Sequence, residues 1–124
     1  SVENTSLPLL VSAAARTTDH VGSWQTNEDY RGCHVLVNVT AAAGSTASFK
    51  VSLEGRVPGT TKSYDLLVGP AITSTGVTAL KVYPGITASA NAAASDILPF
   101  EWRVTSTHAG AGSLTYSVGV GLEL

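Results

Sequence analysis

The stretch ASFKVSLEG, residues 47–55, alternates without a break: Ala47, Phe49, Val51 and Leu53 fall on one side, Ser48, Lys50, Ser52 and Glu54 on the other. A period of two sends successive side chains to opposite faces of an extended chain, so this segment predicts a strand with one face in a core and one in water. The pattern recurs. Cys33, Val35, Val37 and Val39 oppose His34, Leu36, Asn38 and Thr40. Phe100, Trp102, Val104 and Ser106 oppose Glu101, Arg103, Thr105 and Thr107. Leu114, Tyr116, Val118, Val120, Leu122 and Leu124 oppose Ser113, Thr115, Ser117, Gly119, Gly121 and Glu123. Less regular apolar runs at 9–16, 63–72 and 75–83 read as further strands.

Turn residues separate these runs. Pro58-Gly59 predicts a hairpin, and Pro84-Gly85 stops the run before it, because proline presets φ and glycine tolerates positive φ. The glycine-rich HAGAG, residues 108–112, predicts a second hairpin joining the last two strands. The alanine-rich residues 86–96 carry no apolar stripe and read as a loop with room for one helical turn. No amphipathic helix of three turns is visible. The expected fold is therefore all-β, an antiparallel β-sandwich (jelly-roll or Ig-like) of about seven or eight strands. Residues 8–124 form the expected sandwich domain, and residues 1–7 a free N-terminal arm. Residues 17–32, TTDHVGSWQTNEDYRG, read as one long polar loop, a kind of segment that often carries function or contacts.

Composition narrows the function classes. Only 13% of residues are charged, about half the usual share, and Ala, Ser, Thr, Gly and Val fill the gap. Such a surface is poorly defended by charge and suits coverage by a partner. The seven basic residues are scattered singly and the net charge is −2, which argues against nucleic-acid binding. No run of about 20 apolar residues exists to span a membrane as a helix. The start of the chain carries no signal-peptide pattern, which fits synthesis in the cytoplasm. With one cysteine, Cys33, no intrachain disulfide forms, and its place in an alternating run makes it a small core residue.

The polar residues make no recognisable site. Asp19, His20, Glu28, Asp29 and Arg31 crowd the 17–32 segment, but their spacing matches neither a calcium loop nor a transition-metal set. No nucleophile elbow is present. Glu54 and Glu101 are the strand acids best placed for paired-carboxylate chemistry, yet each alternates outward beside basic residues, the mark of a solvent face. The reading is a non-enzyme with no metal and no cofactor. Trp24 and Tyr30, aromatic and in the long segment, are candidate contact residues.

Four strings, taken in order, resemble a group of small structural proteins of tailed bacteriophages: YRGCHVLVNVTA (30–41), LLVGPAITSTGVTALKVYPGI (66–86), ASDILPFEWRV (94–104) and SLTYSVGVGLEL (113–124). The carriers are Tyr30-Arg31-Gly32, the turn Val82-Tyr83-Pro84-Gly85, the strand with Leu98, Pro99, Trp102, Arg103 and Val104, and Leu114 to Gly119. The resemblance implies a virion component on the capsid surface, a decoration (cement) protein that contacts the major capsid protein and copies of itself, plausibly as a trimer. A tail or neck component is the alternative, and a carbohydrate-binding sandwich a further one. The expected contacts are the arm, Val2 to Leu7, and the segment around Trp24, Tyr30 and Arg31.

Overall fold

The computed structural model describes residues 3–44 and 46–124. Among them lie eleven strands: β1 (Thr5–Ser6), β2 (Val11–Arg16), β3 (His20–Val21), β4 (Gln25–Thr26), β5 (Gly32–Ala43), β6 (Ser48–Arg56), β7 (Ser63–Val68), β8 (Gly76–Val82), β9 (Ala93–Ala94), β10 (Glu101–Ala109) and β11 (Ser113–Glu123). No helix occurs among the described residues. The first sheet runs β1-β11-β5-β8-β9, with β2 also on the β11 edge. The second runs β3-β10-β6-β7, with β4 also on β10. All pairings are antiparallel except β8 with β9.

The inward positions read from the alternation meet in one core. Val35, Val37, Leu80, Val118 and Val120 of the first sheet join Phe49, Val51, Leu53, Trp102 and Val104 of the second in one buried cluster. Residues 86–96 stay loop-like, with β9 in place of the helical turn. The Pro58-Gly59 turn joins β6 to β7 as expected, with Gly59 at φ 76°.

Four expectations are corrected. HAGAG does not close a paired hairpin, because β10 lies in the second sheet and β11 in the first, so the turn crosses the core edge. Its geometry needs glycine: Gly110 has φ 77°, and a Cβ there would come within 1.8 Å of the Thr46 carbonyl oxygen. Residues 17–32 are not one free loop, since β3 and β4 inside them form a broken edge strand on β10. Gly22 bridges the break, and a Cβ on it would meet the Val104 carbonyl oxygen at 2.5 Å. The arm is not free where it is described. Thr5 and Ser6 pair with β11, the Leu7 N–H donates to the Val120 carbonyl, and the Leu124 N–H donates to Asn4 Oδ1.

The fourth correction is Phe100, which does not face the core and is 58% exposed. Pairing on β10 begins only at Glu101, and the Phe100 carbonyl accepts from the Asn27 N–H at 2.7 Å. The bend breaks the period of two, and Leu98 takes the core place instead, with its N–H donated to the Arg31 carbonyl.

Trp102 is among the largest fully buried side chains, and its indole N–H finds no acceptor among the described residues. Trp102→Ala is expected to cost about 3–5 kcal/mol in urea unfolding. Trp102→Phe should cost clearly less, because it removes a buried donor that makes no bond.

Candidate functional site

The outer face of the second sheet is closed by its own residues. β10 and β6 run side by side with Arg103 opposite Glu54. Arg103 Nε donates to Glu54 Oε1 at 2.8 Å, and Arg56 Nη1 donates to Glu101 Oε2 at 2.9 Å. Trp24, carried on the link between β3 and β4, lies over this ladder, its ring centroid 4.2 Å from the Arg103 guanidinium carbon and 5.8 Å from that of Arg56. A guanidinium on an indole face is held by the ring quadrupole. The adjacent acid, tryptophan and base at 101–103 are thus a buried anchor flanked by two cross-strand ion pairs, and Glu54 and Glu101 are each engaged by an arginine instead of facing each other across a cleft.

The outer face of the first sheet is different. Across it, Leu36 of β5 stands opposite Gly119 of β11 and Ala79 of β8, and Asn38 stands opposite Val77. Leu36 is 46% exposed and Val77 68%. Beside them Leu9 is exposed too, its side chain 3.6 Å from where a Cβ on Gly119 would sit. The glycines leave a smooth floor between apolar side chains. Two clefts of about 290 Å³ and about 320 Å³ share His34 and Glu123. The first is walled by Lys81, Tyr83 and Ile86, the second by Leu7, Leu36 and Gly121. His34 Nδ1 lies 3.2 Å from Glu123 Oε1 in a partly exposed pair, of a kind that contributes little stability.

The expected contact residues fall in two places. Val2 lies outside the described residues. Leu7 and Tyr30 pack half-buried against the core, the Tyr30 hydroxyl donates to the Glu3 carbonyl, and the Arg31 N–H donates to the Glu123 carbonyl. These gather where the chain's two ends meet the start of β5. Trp24 belongs to the other sheet. The buried Asn27 shapes the turn before Tyr30: its amide donates to the Tyr30 and Leu98 carbonyls, and its Oδ1 accepts from the Tyr30 N–H.

Cys33 lies under the first cleft, and burial, with a smaller push from Glu123, raises its thiol to about 12. A thiol held that high stays protonated and is a poor nucleophile. Among the described residues, no three His, Cys, Asp or Glu side chains are arranged to hold a metal ion.

One polar constellation went unread in the sequence. Tyr116, fully buried on β11, places its hydroxyl 2.8 Å from Ser106 Oγ and 3.0 Å from His108 Nε2, both on β10 of the opposite sheet. The signal was present: the inward register Trp102, Val104, Ser106 continues to His108. Burial lowers the His108 imidazole from its ordinary 6.5, against an upward pull from Asp19, and burial raises the Tyr116 phenol above its ordinary 10.0.

No family model, curated protein or solved structure matches the chain.

The two ion pairs of the ladder differ in exposure, with side chains 20% and 17% exposed for Arg103 and Glu54 against 29% each for Arg56 and Glu101. Arg103 also lies closer under the Trp24 ring. Arg103→Met is expected to lower stability in urea unfolding by about 1–2 kcal/mol, and Arg56→Met by less than about 1 kcal/mol.

Proposed function

We propose that the chain is a non-enzymatic structural protein of a bacteriophage virion, a jelly-roll sandwich that binds the outer face of the capsid and stabilises it. The observation that carries this reading is the strand order. β2-β11-β5-β8 faces β3/β4-β10-β6-β7, and from β2 onward the chain changes sheet between successive main strands except at the β6–β7 hairpin. Two interlocked Greek keys of this kind form the jelly roll, an architecture of viral capsid and lectin domains. The strings that resemble phage structural proteins span β8 and β11, most of β5 and the start of β10.

The partner is the major capsid protein together with further copies of this chain, with trimers at three-fold positions of the shell the natural arrangement. The contact face is the outer side of the first sheet with its neighbouring corner: Leu36, Val77, Leu7, Tyr30 and Arg31. That face is short of charge and apolar around Leu36 and Val77, whereas on the second sheet the β6–β10 ladder is already covered by Trp24 and its ion pairs, with Val21 left exposed beyond it. The mechanism is linkage. A protein that binds the intact shell and not its separated subunits stabilises the shell by about 2.7 kcal/mol at 100-fold excess over Kd.

A carbohydrate-binding reading draws on the clefts that meet at His34 and Glu123, where an imidazole, a carboxylate and the Lys81 ammonium stand beside Tyr83. A glycan array separates it from the capsid reading.

The test is calorimetry of empty shells with and without the protein. The shells are expected to melt at higher temperature with saturable binding, and Leu36→Asp, which changes an exposed residue, should abolish both effects while leaving the protein's own unfolding unchanged. Absence of binding together with unchanged shell melting overturns the decoration role. Binding confined to tails in labelled-particle images assigns the chain to the tail instead.

A further inference from the structure

We propose that protonation of His108 releases β2 from the edge of the first sheet, so that this end of the molecule works as an acid-operated latch. β2 is weakly held. Only Val11 of β2 is buried, and its pairing with β11 is interrupted by a register shift between Tyr116 and Val118. Arg16 bridges that irregular edge. Its guanidinium donates to the Ser12 carbonyl at 2.7 Å, to the Ala14 carbonyl at 3.2 Å and to the Tyr116 carbonyl at 3.0 Å, and its carbon lies 5.1 Å from the Tyr116 ring centroid. A strand with so few buried side chains belongs to the low-stability end of the molecule's opening spectrum.

His108 shares that ring. The imidazole stacks with Tyr116 at 5.7 Å and with Phe49 at 5.6 Å, while Phe49 and Tyr116 stack on each other at 4.0 Å. Its Nε2 meets the Tyr116 hydroxyl, and its Nδ1 is buried with no partner among the described residues. From either neutral tautomer, adding a proton gives an imidazolium with both nitrogens as donors. From the Nε2–H tautomer this adds an Nδ1–H with no acceptor among the described residues; from the Nδ1–H tautomer it forces the Tyr116 hydroxyl to turn from donor to acceptor; in both cases a second cation faces the aromatic group that Arg16 already occupies.

The groups around His108 act in opposite senses. Asp19, whose carboxylate accepts the His108 backbone N–H at 2.7 Å, favours the charged ring, while Arg16 of β2 and His20 of β3 oppose it. Tyr116 on β11 and Ser106 on β10 complete the surroundings through the shared hydroxyl bonds. Burial outweighs the pull of Asp19, so the folded imidazole lies below its ordinary 6.5. Between the folded and unfolded values the unfolded chain binds the proton and the folded chain does not. Stability is therefore whole above pH 6.5 and falls as the pH drops toward the folded value. Apart from Val11 and the half-buried Arg16, β2 presents only exposed side chains, so its departure costs few buried contacts and β2 opens before the β6–β10 core.

Amide hydrogen exchange, corrected for intrinsic rates, tests this between pH 7.5 and pH 5. Protection of residues 12–16 is expected to drop several-fold relative to β5 at the acid end. His108→Gln, which keeps a hydrogen-bonding side chain but takes no proton, should hold β2 protection constant over the same range. Unchanged β2 protection in the native protein, or an equal loss in His108→Gln, overturns the latch. If His108→Gln does not fold, Asp19→Asn decides: the acid midpoint of β2 opening should move to lower pH, and an unmoved midpoint overturns the proposal.

Discussion

The Tyr116 phenol ties the two sheets together. Its ring belongs to β11 and packs on Phe49 of β6, while its hydroxyl reaches β10 of the opposite sheet. Apolar side chains alone give two sheets a non-directional reason to meet. A buried hydroxyl with two partners adds direction, because sliding one sheet against the other would strand polar atoms inside the core. The crossing turns reinforce the same end. Thr46 and Ala111 exchange hydrogen bonds between the turn leaving β5 and the turn leaving β10, and Gly110 lets those backbones touch.

The two outer faces use charge in opposite ways. On the second sheet, Arg103, Glu54, Arg56 and Glu101 neutralise one another across the β6–β10 pair, and Trp24 shields them. On the first sheet the cross-strand rows hold leucine, valine, alanine and glycine beside the uncharged Asn38 and Ser117, with charge confined to the Lys81, His34 and Glu123 corner. A chain that is only 13% charged has thus spent four of its charges on a face that needs no partner. The face left apolar is the one that supports the assembly reading.

Much of the fold was legible residue by residue. Where strands are long and flanked by water on one side, as in β5, β6 and β11, alternation placed the apolar core residues, although Leu124, set inward after Leu122, lies past the end of β11 and is 42% exposed. It failed where the chain enters a strand. Phe100 continues the alternation on paper, yet the ladder begins one residue later, and the preceding bend is set by Asn27 and Arg31 from elsewhere in the chain. The short strands β1, β3, β4 and β9 carry no periodicity of their own, because two residues define no period. They exist only as partners of β11, β10 and β8. The candidate contact residues were legible as types, but nothing in their order separated Trp24 from Tyr30 and Arg31.

Sequence alone determined the class of structure and the inward half of each long strand, because a period of two is a local property of side-chain spacing. Glycine and proline placed the turns for a similarly local reason. Which sheet each strand joins was decided only in three dimensions. HAGAG is as well suited to a hairpin as to a crossing, and the choice falls to the core that β10 and β11 must each help close from opposite sides. The meeting of Ser106, His108 and Tyr116, the covering of Arg103 by Trp24, and the smooth apolar face around Leu36 all follow from that choice, since each joins residues that share no local pattern and touch only because the sheets face each other.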